Sequence, residues 1–480
     1  MLRHETNLSR SIAFDIILIS FVVALITSPV WFDLNDIIYN LDGLKVYLTR
    51  NFVPANSSEF WLLVPIGIIG AWRWTVWLIK KVTATVYEAV EPIVNGKNKE
   101  YSNRISFAII TPVYNEDPHI FSDALHSWWG NKPDELIAVI DRSDTECISV
   151  FNAFRKDKPS AKLIVTSKPG KRAALVDGIL GSCCDIVALV DSDTIWGSHI
   201  RDNVLAPFQS DPNIGGVTTR QHPISRGSLW QKMTDVFWDM RNYYDLPAQT
   251  AAGRALSCLS GRTSLYRRKI LLPKLDVFLN EIIFGRKKES GEDKCLTRLV
   301  QEQGWKTYYQ SNAVVYSSAA SDFRTFWSQR LRWSRNSHNS DFVSLRDGWA
   351  WRHPYLAFFM IDRFISTFTL FLGPIFFGIA LVDHQWIFAT FIVMLWIVGR
   401  GIKIIPHIRR HPADLFFLPI YVAVNFLVAL TKLYALVTIR DQLVIRGSKG
   451  YRKNILSNLK DFLLTGEIIL GIILIVSIFH

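Results

Sequence analysis

The sequence predicts an α/β domain, built on a mostly parallel central sheet, fused to an α-helical transmembrane region. Two observations predict it. Apolar residues make up 49% of the 480 and gather in two N-terminal and several C-terminal blocks, giving a mean hydropathy of +0.16. Between the blocks, from about Lys80 to Arg352, short β-rich runs alternate with helical or loop segments. That alternation is the pattern of parallel βαβ units.

The first block, Ser11 to Phe32, is long enough to cross a bilayer and lacks a small-residue cleavage site after it, so it reads as a span rather than a signal peptide. The second runs from Phe60 to Ile79, with Arg73 near its end able to snorkel. The C-terminal blocks are Phe364 to Val382, Trp386 to Ile405, Leu415 to Ile439 and Phe462 to Phe479. The chain is therefore read as two N-terminal transmembrane helices in 1–80, a cytoplasmic domain in 81–352, and interfacial and transmembrane helices in 353–480. Net charge is +12, and part of it flanks the apolar blocks at Lys80-Lys81, Arg400 to Arg410 and Arg440 to Lys460. The positive-inside rule places those flanks in the cytoplasm. Both sides of Leu415 to Ile439 are basic, and Pro419, Asn425 and Lys432 lie within it. It is expected to be interfacial or re-entrant. All five cysteines fall in the middle domain without metal-like spacing, which fits buried small residues in a reducing cytosol and no cysteine-bound metal.

Four runs are expected as buried strands: "ISFAIITPVY" from Ile105, "ELIAVID" ending at Asp141, "AKLIVTS" ending at Ser167 and "CDIVALVDSD" ending at Asp193. Ligands of parallel α/β sheets bind at the carboxyl ends of strands. Glu116, Asp141, Asp191 and Asp193 lie at or just beyond three of these ends. Carboxylates converging on one rim are costly unless a cation or a donor-rich ligand meets them. The "DSD" pair suits a divalent cation, which joins one or two carboxylates to phosphates, although D-x-D taken alone is most often a turn or cap. In "GEDKCLTRLV" from Gly291, Glu292 and Asp293 either open a helix, as acids do, or supply a general base. "SKPGKRAALVDG" puts Lys171 and Arg172 at a helix start after Gly170, a place suited to phosphate, with solvated surface charge as the plain alternative. "SQRLRWSRNSHNS" from Ser328 sets Gln329, Arg332 and Trp333 just before the C-terminal apolar blocks. Arginine and tryptophan also gather wherever a chain meets a bilayer.

The order and spacing of "TPVYNED", Asp141, "GKR", "DSD", "SGR", "GED" and "QRLRW" resemble those of the processive membrane glycosyltransferases of family 2, the group of hyaluronan, chitin, cellulose and mannuronan synthases. Q-x-x-R-W after an acidic triplet and before membrane helices is the specific part. The resemblance implies an α/β glycosyltransferase A-type domain and a nucleotide-sugar donor. Thr111, Tyr114 and Glu116 would line the nucleotide pocket, and Asp141 would hold the base, uracil being the expected one. Lys171 and Arg172 would contact the nucleotide sugar. Asp191 and Asp193 would hold Mg²⁺ or Mn²⁺ at the diphosphate, and Asp293 would be the catalytic base. Gln329, Arg332 and Trp333 would close over the diphosphate, with Ser260 and Trp333 near the acceptor. Two departures stand out. Glu292 occupies a position where hyaluronan synthases usually carry aspartate, and "QLVIRGSKGYRK" lacks their W-x-T-R pattern. "SGR" and "DRFISTFTLFLGP" are more similar to the mannuronan synthases.

The expected activity is inverting transfer that polymerises a sugar, UDP-linked by expectation, into an extracellular polysaccharide and secretes it. The expected partners are the donor, a growing polysaccharide or glycolipid acceptor and the bilayer of the cell membrane, with no nucleic acid. The alternatives are single-sugar transfer to a membrane lipid, a GDP-mannuronate-using enzyme, and an inactive partner subunit or transporter that keeps the fold.

Overall fold

The computed structural model describes residues 57–92, 105–382, 384 and 386–440. The expected spans Ser11 to Phe32 and Phe462 to Phe479, and the "QLVIRGSKGYRK" loop, lie outside the described residues. The chain divides into two compact units. Among described residues one comprises 79–366 and 431–440, and the other 57–78 and 367–430.

The first unit is built on eight hydrogen-bonded strands. The four expected runs form Phe107–Val113 (β1), Glu135–Asp141 (β2), Ala161–Thr166 (β3) and Ile186–Val190 (β4). They are followed by Ile195–Trp196 (β5), Ile214–Pro223 (β6) and Thr263–Arg267 (β7). A separate two-stranded ribbon joins Ile282–Ile283 (β8) to Arg286–Lys287 (β9), and Lys306–Ser317 (β10) completes the main sheet. Its order is β3-β2-β1-β4-β7-β6-β10-β5. The β3-β2-β1-β4 half is parallel throughout, as is β6 with β10, while β7 runs antiparallel to both its neighbours. The fold is thus the mostly parallel α/β sheet that the sequence predicts.

Side chains alternate across a strand, so successive residues of β1, β2 and β4 bury on opposite faces. Phe107, Ile109, Leu136, Ala138, Ile186 and Ala188 pack with Phe121, Leu125, Trp128 and Phe151 from the helices Pro118–Trp129 and Thr145–Phe154. Ala108, Ile110, Ile137, Val139, Val187 and Leu189 pack on the other face with Leu175 and Ile179 from the helix Lys171–Gly181. Leu296 and Leu299 of the helix Glu292–Glu302 join them. Both faces are covered, which is why these strands read as continuous apolar runs. The Lys171–Gly181 helix approaches the sheet most closely at Gly178, where an added Cβ would collide with the Ile110 side chain.

The second unit contains Trp386–Lys403 and parts of three further helices, Ser57–Thr85, Pro354–Val382 and Leu418–Val437. Within it Trp396 packs edge-on against Phe426 with ring centroids 4.4 Å apart, and a Cβ added at Gly373 would stand 3.2 Å from the Trp396 ring. Pro354–Val382 and Pro412–Val437 are long and apolar enough to cross a membrane. The segment expected to be interfacial or re-entrant, Leu415 to Ile439, is helical through most of its length. A 3₁₀ segment, Pro412–Phe417, leads into an unbroken helix from Leu418 to Val437. Pro419 sits in its first turn, where its missing N–H goes unused, and the Asn425 amide returns to the Tyr421 carbonyl within the same helix. Four cysteines are buried as expected, but Cys183 is exposed in the loop before β4.

Because Gly178 has no room for a side chain, Gly178→Val is expected to destabilise the domain by about 1–3 kcal/mol, the usual cost of overpacking a filled core. A lower thermal unfolding midpoint is the measurement that checks it.

Candidate active site

Three parallel strands deliver their acidic ends to one rim. Beyond β1, Tyr114 is 49% exposed, and Glu116 accepts a hydrogen bond from the Ser192 hydroxyl at 2.7 Å. At the end of β2, Asp141 accepts from the Ser143 amide at 2.9 Å and from its hydroxyl. Beyond β4 come Asp191 and Asp193, both half-buried. Since β7 runs opposite to β4, the loop that enters β7 meets the loop that leaves β4, and the Asp191 amide lies 3.4 Å from the Arg262 carbonyl. The Ser317 hydroxyl, at the end of β10, lies 3.4 Å from Asp193.

Two helix starts close the rim. Lys171 opens its helix after Gly170, as expected, and its ammonium bridges Asp191 at 2.6 Å and Glu292 at 2.7 Å. Glu292 and Asp293 open the next helix behind Gly291. Gly291 has φ +81°, and a Cβ there would stand 2.9 Å from the Asn336 side chain, so backbone conformation and space both require glycine. Asn336 lies on the helix Phe323–Arg346, in helical register with Gln329, Arg332 and Trp333. Its amide oxygen accepts from the Ser290 hydroxyl at 3.1 Å. The Q-x-x-R-W helix is thereby docked on the acidic triplet. Lys171, Leu175, Asp191, Gly261, Glu292, Asp293 and neighbouring residues line one pocket.

Charge in this pocket is unevenly balanced. Burial raises the Asp193 carboxyl to about 6, and the charges of Asp191 and Glu116 add to the effect. Burial also favours neutral Glu292, but the Lys171 ammonium outweighs it and holds that carboxyl well below its ordinary range. Burial would lower Lys171, yet Asp191 and Glu292 raise it and keep it charged. Arg262 is pulled down to about 10 by burial, against the fields of Asp191, Asp193 and Asp293. Its guanidinium lies 4.1 Å from the Trp238 ring centre and 5.4 Å from that of Trp333. Asp293 accepts from the Cys258 thiol at 3.3 Å. Arg332 acts electrostatically on Glu292, and its buried Nε has no hydrogen-bond partner among the described residues.

Not every expected residue reaches the pocket. Arg172 is 4% exposed and points into the protein, paired with Glu281 at 2.7 Å and donating to the Phe278 carbonyl. Thr111 is fully buried two residues short of the strand end, and its hydroxyl has no hydrogen-bond partner among the described residues. Ser260 is 4% exposed, and its amide donates to the Thr218 hydroxyl at 3.3 Å. Gln329 and Trp333 are half-buried on the docked helix. Two residues that the sequence left without a role now stand in the site: Glu292, by its bridge to Lys171, and Arg262, by its position among three carboxylates. The signal for both was present as their motifs, "GED" and "SGR". Away from the pocket lining, His222, Asp235 and Asp239 bring ligand atoms within 4.8 Å of one another. There Arg226 bridges Asp235 at 2.8 Å, so a cation of the protein's own already meets that group.

Sheet-end carboxylates, a bridging lysine and two helix starts thus share one rim of an α/β fold. Residues 104–336 match the profile described as "Glycosyltransferase like family 2", and the chain carries a family 2 glycosyltransferase domain. A hyaluronan synthase of Streptococcus pyogenes is 26% identical over 389 residues, 78% of this chain and 89% of that one. A type 2 glycosyltransferase of Pyricularia oryzae is 26% identical over 69% of this chain and 72% of its own. An N-acetylglucosaminyltransferase of Rhizobium meliloti is 29% identical over 56% and 63%. The fold is similar to that of a mannosyltransferase from Pyrobaculum calidifontis solved with GDP-Man and Mn²⁺. That likeness has a TM-score of 0.53 and 16% identity, covering 79% of this chain and 97% of that one.

The raised Asp193 carboxyl gives a signed expectation. Its folded value of about 6 lies above its ordinary 3.8, so its contribution to stability is full below the ordinary value and lost as pH rises through 6. Asp193→Asn in metal-free buffer should therefore raise the melting midpoint at pH 7.5 and lose that advantage near pH 4. Thermal melts across this range check it.

Proposed function

We propose that the chain is a membrane-embedded, inverting glycosyltransferase that polymerises a sugar from a UDP-linked donor into an extracellular polysaccharide and exports it. The observation that carries this is the convergence of Asp191, Lys171, Glu292 and Asp293 in one pocket with the Q-x-x-R-W helix docked beside it. The relatives named hyaluronan synthase and N-acetylglucosaminyltransferase support polysaccharide synthesis. Two helices of membrane-crossing length and hydropathy support the bilayer. The basic flanks of the apolar blocks put the catalytic domain, 81–352, on the cytoplasmic side.

In this mechanism Tyr114, Glu116 and Asp141 take the nucleoside, with the buried Thr111 hydroxyl behind them. Lys171 exchanges Asp191 for a diphosphate oxygen. Asp191 and Asp193 are the residues that would hold Mg²⁺ or Mn²⁺. Carboxylate oxygens that repel one another on a half-buried rim fit a hard divalent cation. Such an ion supplies charge neutralisation at the leaving diphosphate. Gln329 and Arg332 close over the same group, where a guanidinium matches phosphate geometry. Asp293 takes the proton of the acceptor hydroxyl as that oxygen attacks the anomeric carbon from the face opposite the diphosphate. One displacement inverts the configuration. Trp333, with Ser260 beneath, offers a platform for the acceptor ring. Arg172 supports this rim from below by tying its helix to Glu281.

The purified chain is to be incubated with UDP- and GDP-sugars plus Mn²⁺ or Mg²⁺ and the product sized. A long polymer from a UDP-sugar is expected. A lipid bearing one sugar would overturn polymerisation, and no nucleotide release from any donor would overturn transfer. Asp293→Asn is expected to cut transfer by about 10²–10⁴-fold, the usual worth of a general base. Affinity for the nucleoside diphosphate, read by titration calorimetry, should stay near wild type.

A further inference from the structure

Directly behind the acidic triplet is a buried ionic cluster that the mechanism above does not use. Lys294 follows Asp293 in the first turn of the Glu292–Glu302 helix, where a cation opposes the helix dipole. It is 8% exposed, and burial lowers its ammonium below the ordinary lysine value. Its Nζ lies 3.6 Å from Asp341, which is fully buried on the Phe323–Arg346 helix. Asp341 also meets Arg363, on the Pro354–Val382 helix, at 2.8 Å. The charged groups acting on Lys294 are thus Asp341 and Arg363 from those two helices, Cys258 from the loop before β7, and Asp293 beside it. His338, one turn before Asp341, is 1% exposed.

This arrangement is not explained as a stability device. Lys294 Nζ makes no hydrogen bond among the described residues, and its 3.6 Å pairing with Asp341 is long beside the 2.8 Å pairing that Arg363 makes with the same carboxylate. Buried pairs with so few hydrogen bonds contribute little net stability, and their better attested use is to fix one element against another. Here the fixed elements are the turn that carries Asp293 and the helix that carries Gln329, Arg332 and Trp333. The backbone amide of Lys294 itself donates to Asp293 at 2.8 Å, so a shift of Lys294 moves the carboxylate.

We propose that Lys294, held by Asp341, is a positioning residue that sets the Asp293 carboxylate against the Q-x-x-R-W helix. Lys294 acts through Asp293 and touches no substrate. The inference rests on Asp293 being the base.

The test compares wild type, Lys294→Met, Lys294→Arg and Asp341→Asn in the full chain, using the donor that wild type turns over and the nucleoside diphosphate released from it. Lys294→Met should lower kcat about ten- to a hundredfold, the scale of a misplacement near 1 Å. It should leave donor KM and diphosphate affinity within about twofold, since the ground-state contacts are untouched. Lys294→Arg should recover most of kcat, and Asp341→Asn should behave like Lys294→Met. Wild-type kcat in Lys294→Met, no recovery in Lys294→Arg, or diphosphate affinity falling in step with kcat would overturn the proposal. Should Lys294→Met fail to fold, Asp341→Asn decides alone, and wild-type kcat there overturns it. A wild-type chain that turns over no donor removes the assignment of Asp293 and this inference together. An active Asp293→Asn chain does the same.

Discussion

Lys171 is the interaction on which the site depends. Its ammonium holds two carboxylates, Asp191 from the end of a strand and Glu292 from the start of a helix, that would otherwise repel across a half-buried pocket. Without that cation the rim would carry Glu116, Asp191, Asp193, Glu292 and Asp293 against the buried Arg262 and the field of Arg332. Burial, with the charges of Asp191 and Glu116 added, is what raises the Asp193 carboxyl here. Concentrated negative charge is a stability cost that functional sites accept, and under the proposed function it is where a cation and an anionic ligand enter.

The fold makes that concentration possible. Parallel strands β2, β1 and β4 bring polar ends to the same edge, and reversal at β7 adds a loop from much later in the chain. The helix Phe323–Arg346 is then fastened at several points. Asn336 seats on Gly291, Asp341 reaches Lys294, and the Arg335 guanidinium donates to the Thr438 hydroxyl at 2.6 Å. Under the proposed function, these anchors determine how well Arg332 and Trp333 meet the donor.

Much of this was legible in the sequence, for physical reasons. Strands β1, β2 and β4 are buried on both faces, so each is a nearly unbroken apolar run. The helix starts at Lys171 and Glu292 were legible because glycine precedes each. Strand β6, "IGGVTTRQHP", was not legible: its glycines and polar residues disguise a strand whose partners lie more than 40 residues away. Arg172 adjoins Lys171 in sequence, yet it turns inward because Glu281 and Phe278, over 100 residues later, form its binding place. Nothing local announces that. Lys294 was equally opaque, since its meaning comes from Asp341, and "SGR" marked Arg262 without showing its seat on Trp238 and Trp333, which only the fold brings near. The helix Leu418–Val437 includes Pro419 because a proline in the first turn gives up no intrahelical hydrogen bond.

The most direct test of this account is the structure of the full chain with Mn²⁺ and a nucleoside diphosphate bound, determined by electron cryo-microscopy. Lys171 should then leave Asp191, with its Nζ beyond about 4 Å from that carboxylate, the limit of an ion pair. It should contact a phosphate oxygen, with Asp191 and Asp193 turned to the cation. A diphosphate bound elsewhere, with both Lys171 bridges intact, would contradict the account.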